Sequence, residues 1–346
     1  RLLLTVLLTI SGVSAFAQTQ VSGHVYDSFG EPLIGASVMI KGTMTGSITD
    51  FDGAYSISAK STDVLVAEYL GFNAIEETVG SRKVIDFKLS EDKNVLDDVV
   101  VIAYDRLLTG TEYVDYYTTF DNYKVGQIQG QYVVDKFDLA NTDKTYTIEF
   151  TAGSPDDNNA GLFFAGAYDT VKPYLDNGKL VCVSGQTEFE KVATPAWKSE
   201  TAQARMDNIL SAYYPDALTG GQTLDICLCS NDSTALGVTN SLVAFGYTAE
   251  NIPVITGQDC DIANTKNMVK GLQAMSVFKD TRALAEATVK MVGEILSGAE
   301  VEVNATYANG VKDVASFNCT PVFADVNNYT ELLIDSGYYT AEEIAE

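Results

Sequence analysis

The hydrophobic period of this chain changes once, near residue 100, and that change constrains the fold more than any other feature. From Val21 to Ser90, apolar and polar residues alternate in short runs: "VSGHVYD", "ASVMIKGT", "GAYSISA", "VLVAEYLGF" and "KVIDFKLS". Gly, Asp and Pro punctuate them at "DSFGEPLIG" and "TDFDGAY". Period-two runs between turn signals predict a small antiparallel β-sandwich. Asp50 and Asp52 could suggest a calcium loop, but with Gly53 they read more simply as a tight turn.

After Arg106 the strand-like runs "KTYTIEF", "KLVCVSG", "LDICLCS", "IPVITG" and "AMSVF" alternate with helix-like ones. In "GLFFAGAYDTVKPYLDNG", Phe164, Tyr168, Val171 and Leu175 share one face, and Gly178 can end the helix. In "TRALAEATVKMVGEILSG", Ala285, Val289, Val292 and Leu296 repeat that spacing and predict a second apolar face. Strand–helix alternation means a parallel sheet with helices on both sides, so this part is α/β. A chain of 346 residues is long enough for both parts.

Charge and residue usage remove several functions. A formal charge of −25 argues against nucleic acid, whose binding rests on Lys and Arg neutralising phosphates. It also disfavours an anionic membrane surface. The one histidine, His24, lies outside the α/β part, which excludes Ser-His-Asp and Cys-His catalysis there and any His-based zinc site. Five cysteines cannot all pair, and Cys227 and Cys229, on one face of a predicted strand, read as buried thiols. The chain has neither G-x-G-x-x-G nor a P-loop. No enzyme, cofactor or metal is implied; Asp156 and Asp157 are adjacent, and adjacent carboxylates usually point apart. A sugar-sensing regulator would need a helix-turn-helix and a basic face, and the sequence offers neither.

The first residues, "RLLLTVLLTISGVSAFAQ", set a basic residue before an apolar run and the small-residue pattern Ala15-Phe16-Ala17. Residues 1–17 are read as a secretory signal cleaved near Ala17, before Gln18, which places the mature protein in the periplasm. The run is too short to span a membrane. No cysteine follows it, so no lipid anchor is expected; no Met opens it, so its start reads as truncated.

In open α/β sheets, ligands bind beyond the carboxyl ends of the strands. Here "KTYTIEF" is followed by Asp156, Asp157, Asn158 and Asn159, and "LDICLC" by Ser230, Asn231 and Asp232. "IPVIT" is followed by Gln258 and Asp259, and "AMSVF" by Lys279 and Asp280. Carboxylates accept from neighbouring hydroxyls, amides donate and accept, and an ammonium donates. With the only tryptophan, Trp197, as an apolar plate, the set suits a hydroxyl-rich ring. The competing reading makes each Asp or Asn a helix cap. Paired carboxylates can hydrolyse glycosides, but nothing here singles out an acid and a nucleophile.

Two stretches carry family resemblances. "SGHVYDSFGEPLIGASVMIKGTMTGSITDFDGAYSI" with "LDDVVVIAY" resembles the carboxypeptidase-regulatory-like domain and TonB-box region at the start of TonB-dependent glycan receptors. From about residue 101, "VIAYDRLL", "YYTTFDNYKVGQIQG", "GSPDDNNA", "TGQDCD", "VFKDTRALAEATVKMV" and "VNNYTELLIDSGYY" resemble, in order, periplasmic sugar-binding proteins of the type I fold. Their branch takes in xylose-binding and multiple-sugar chemotaxis receptors. This second resemblance implies an aldose ligand (xylose, arabinose, glucose or galactose), an ABC permease and in some cases a chemoreceptor as partners. It implies sugar contacts from Asp105, Arg106, Asp157, Asn159, Asn231, Asp259 and Lys279, and stacking by Trp197.

The family's first lobe should open with three further strand–helix units, and the β-sandwich stands in their place. What is expected to remain is a second lobe at roughly 120–278 and 313–346, plus one strand and a helix near 282–297 of the first. The chain is therefore read as a chimera: signal 1–17, β-sandwich 18–98, and a truncated Rossmann-like sugar-binding domain 99–346. A fragment of a TonB-dependent outer-membrane receptor joined to an unrelated binding domain is the alternative.

Overall fold

The computed structural model describes residues 18–91 and 99–345. The signal segment with its cleavage point, and most of the "NVLDDVV" run before Val99, lie outside the described residues. The chain divides into two compact units between Val99 and Val100, inside the run "VVVIAY" that both resemblances share.

The first unit is all β: β1 (Thr19–Tyr26), β2 (Ser37–Ile40), β3 (Gly46–Ile48), β4 (Ala54–Ala59), β5 (Val64–Glu68), β6 (Ile75–Thr78) and β7 (Phe87–Lys88). They form two sheets, β4-β1-β7 and β3-β2-β5-β6. The alternating residues Val21, Val25, Val38, Ile57, Leu65 and Phe87 point into one shared core. The sandwich departs from the expected pairing at one place: β7 runs parallel to β1, because the chain reaches it by a long return from the other sheet rather than by a hairpin. At "TDFDGAY" the Asp50 carboxylate accepts from the amides of Asp52 at 3.0 Å and Ala54 at 2.9 Å, and Gly53 takes φ +72°. The carboxylate serves the turn itself.

The second unit runs β8 (Ile102–Tyr104), β9 (Tyr116–Phe120), α1 (Asn122–Lys136), β10 (Tyr146–Thr151), α2 (Asn158–Asp176), β11 (Leu180–Val181), α3 (Phe189–Val192), α4 (Ser199–Tyr213), β12 (Ile226–Cys229) and α5 (Asp232–Phe245). It continues with β13 (Val254–Ile255), α6 (Ile262–Val269), β14 (Met275–Phe278), α7 (Thr281–Ser297), β15 (Ala305–Ala308), β16 (Asp313–Cys319), β17 (Val322–Asp325) and α8 (Ala341–Ala345). One sheet has the order β11-β10-β12-β13, all parallel. A single bridge from Gln258 to Val277 continues it to β14, against which β17 lies antiparallel. β12 is apolar and buried on both faces, with Cys227 and Cys229 buried there, whereas β10 is buried on both faces but carries Thr147, Glu149 and Thr151 on one of them.

The other sheet has the order β15-β16-β9-β8. It corrects the expected division of this unit. Residues 313–319 belong to it and not to the second lobe, since β16 runs parallel beside β9 over Ala315–Cys319. The first lobe thus keeps four strands and α7 where one strand and a helix were expected.

α7 supplies a second correction. Its buried side is Leu284 and Met291, whereas the predicted face points to solvent: Val289 is 71% and Leu296 82% exposed. The helix carries two apolar stripes. One packs on β9 and β16, and the other is exposed among the described residues. β8 is likewise terminal, hydrogen-bonded among the described strands to β9 alone.

Each unit has its own buried core. Calorimetry with limited proteolysis should therefore give two unfolding events, the β-sandwich reversible, with early cleavage near residues 100–120. One cooperative transition without cleavage there would show the join to be an evolved interface.

Candidate functional site

Where the strands of the two sheets end, the chain turns into helices or crosses between sheets, and these turns enclose a cavity of about 190 Å³. Its walls contain Asp105, Arg106, Asp157, Asn159, Trp197, Asn231, Asp259 and Lys279, so all eight positions singled out in the sequence meet in one place. Phe163 and Gln258 complete it.

Asp157 organises one wall. It caps α2, one carboxylate oxygen accepting from the Asn159 amide at 3.0 Å. The other accepts from the Arg106 guanidinium at 2.7 Å and from the Trp197 indole N–H at 3.2 Å. The cap reading and the site reading are both true of this residue, because its two oxygens face different ways. Trp197 lies directly over Gly153: a Cβ there would fall inside the indole ring. Asn159 ties the wall to β8, donating to the Asp105 carbonyl at 2.9 Å and accepting from the Tyr117 hydroxyl at 3.2 Å.

The opposite wall holds the Lys279 ammonium, 3.1 Å from Asp259 and 5.3 Å from the centre of the Phe163 ring. Burial disfavours its charge, but Asp259, then Asp105 and Asp157, outweigh that and hold the amine above its ordinary range. Asn231 caps α5 in a reciprocal arrangement with Thr234. Gln258, 1% exposed, has a side-chain carbonyl with no hydrogen-bond partner. A buried acceptor left unmade is costly unless a ligand completes it. Backbone strain collects at the same place: Asp105, Trp197 and Asp259 take φ of +59°, +56° and +95°, which non-glycine residues hold only when their surroundings fix them.

Other strand-end polar residues do different work. The Asp280 carboxylate caps α7 and pairs with Arg282 at 2.7 Å. Asp156 hydrogen-bonds Ser154. Asp232 is wholly buried, accepting from Gln273, Ser276 and the Asp261 amide; burial first, then Asp259, pushes its carboxyl well above the usual range. Phe163 escaped the sequence reading because an apolar residue four positions after Asn159 on a helix looks like core. Gln258 stands in the strand-end set beside Asp259, though not among the expected sugar contacts.

A cavity of carboxylates, amides, two cations and aromatic plates between two α/β sheets joined by several crossings defines a ligand-binding protein of two-lobed type. Residues 95–300 match the periplasmic binding protein domain, and the chain belongs to that family. Over 250 residues it is 46% identical to the multiple sugar-binding periplasmic receptor ChvE of Rhizobium radiobacter, covering 71% of this chain and 69% of that protein. It is similar in structure to an ABC transporter solute-binding protein of Clostridium phytofermentans with bound β-D-glucose, at TM-score 0.67 and 54% identity, covering 71% of this chain and 75% of the other. Residues 21–101 match the carboxypeptidase-regulatory-like domain, overlapping the first match at 95–101. This part is similar to the TonB-dependent receptor SusC of Bacteroides thetaiotaomicron, 43% identical over 106 residues, which are 29% of this chain and 10% of that one.

Proposed function

We propose that the chain is an exported binding protein for a neutral monosaccharide, an aldose such as glucose, xylose, arabinose or galactose, which it holds without chemical change. The observation that carries this reading is the meeting of those eight residues in one cavity. Asp105, Asp157 and Asp259 accept from paired hydroxyls, Lys279 and Arg106 donate, and the faces of Trp197 and Phe163 cover the C–H side of the ring. Three carboxylates against two cations leave no excess positive charge for a phosphorylated or carboxylated ligand. The relatives' names, a sugar receptor and a glucose-bound solute-binding protein, support the same class. Delivery to an ABC permease or a chemoreceptor follows as the partner step.

Titration calorimetry of the full chain against the four aldoses tests the reading. With three first-lobe units missing, the expected dissociation constant is about millimolar, roughly −4 kcal/mol. Tight binding of an amino acid or peptide, with no sugar response, would overturn the ligand class. A micromolar constant would show that the lost units are not needed.

A further inference from the structure

A second cavity, about 290 Å³, adjoins the first across the Lys279–Asp259 ion pair. The two share Asp105, Asp259 and Lys279. The Lys279 ammonium stands between two rings: Phe163, at 5.3 Å, belongs to the first cavity, and Phe120, at 6.0 Å, to the second. We infer that this second cavity is a further sugar compartment, and that the natural ligand class includes disaccharides whose second ring it receives. The inference rests on the monosaccharide reading of the first compartment.

The chemistry of the first compartment is repeated in the second. Asp261 and Asp259 supply acceptors, the Thr281 hydroxyl lies 3.2 Å from that of Tyr338, and Tyr104, Phe120 and Tyr338 supply ring surface. Tyr338 is held in place, edge-on to Phe278 at 4.9 Å and beside the Arg282 guanidinium at 5.1 Å. Tyr104 is half exposed because it ends β8, the terminal strand, where no neighbouring strand covers it. Three carboxylates line this side against the one shared ammonium, which disfavours a phosphate or a uronic acid and favours a neutral ring.

Size points the same way. Ligand pockets ordinarily hold roughly 300–1,000 Å³. The first cavity alone, at about 190 Å³, falls below that range; with the second, at about 290 Å³, it reaches about 480 Å³ and falls inside it. Lys279 can then donate to the oxygen joining two rings, the one position that faces both compartments.

The test is calorimetry on the full chain with glucose and xylose, and with cellobiose, maltose and xylobiose. At least one disaccharide should bind fivefold or more tighter than its own monosaccharide. Thr281→Trp, which fills the second compartment from an exposed position, and Tyr104→Ala should each erase that advantage while leaving the monosaccharide constant within twofold. Monosaccharide binding with no disaccharide advantage, or an advantage that both variants retain, would overturn the second compartment alone. Failure of all five sugars would remove the monosaccharide reading, and this one with it.

Discussion

Replacing Asp157 by alanine is expected to abolish measurable sugar binding and to lower the stability of the α/β unit by about 2–3 kcal/mol. The stability figure has two parts. Loss of the α2 cap, where one oxygen accepts from the Asn159 amide, costs about 1 kcal/mol. Loss of the charge-assisted bonds from Arg106 at 2.7 Å and Trp197 at 3.2 Å costs roughly 1.5–3 kcal/mol in a buried setting. Arg106 is 57% exposed, so solvent screening brings that second part to its lower end. For a unit of this size the sum is a fall of about 5–10 °C in melting temperature.

Binding suffers more than stability, because the same oxygen tethers both the guanidinium and the indole. Asp157→Asn separates the two effects. An amide keeps the volume and one acceptor for the cap, so the cap's share of about 1 kcal/mol is retained and stability should fall by only about 1.5 kcal/mol. Its NH₂ would face the Arg106 and Trp197 donors, and affinity should still drop by tenfold or more. Thermal unfolding and calorimetry on both variants decide the matter; an alanine variant that binds within threefold of the parent would remove Asp157 from the site.

What could be read from the sequence follows the range of the interactions involved. Strand ends are local facts: a run such as "LDICLC" must stop, and what stops it stands at the rim of the sheet. Asp157, Asn159, Asn231, Asp259 and Lys279 are therefore placed by strand pattern, Trp197 by being the only tryptophan, and Asp105 and Arg106 by the family resemblance. Pairing across long separations was not legible. β16 finds β9 almost 200 residues away, and nothing in "DVASFNC" says whether it continues one sheet or the other.

The face of α7 failed for a different reason. Ala285, Val289, Val292 and Leu296 have helical spacing as regular as Leu284, Thr288 and Met291, and periodicity cannot choose between two stripes on one helix. The choice is made by what lies opposite, and here β9 and β16 do. Asp280 shows the limit of the strand-end rule, since its carboxylate is spent on the α7 cap and its own Arg282. Asp157 escapes that limit only because its second oxygen turns toward the cavity.

Gly153→Ala should cost at least tenfold in sugar affinity while leaving the fold intact. Gly153 follows β10, and its carbonyl accepts from the Thr194 amide at 2.9 Å. Its φ lies outside the left-handed region, so alanine brings no backbone strain there. The added methyl would occupy space now held by the Trp197 ring. The ring cannot retreat with its backbone, which already sits at φ +56° and is fixed by the Trp197 amide donating to the Thr194 carbonyl at 3.0 Å. It must rotate, and rotation breaks the indole bond to Asp157 and removes the apolar plate. Because Trp197 is the chain's only tryptophan, its fluorescence reports the event directly: the emission should move to longer wavelength as the indole meets water, and the response to sugar should disappear. Gly161→Ala is the control, since nothing lies within 4 Å of a Cβ there and alanine in α2 should add about 0.5–1 kcal/mol. If Gly153→Ala binds sugar as the parent does, with the same emission, the indole is not the plate on which the ring rests.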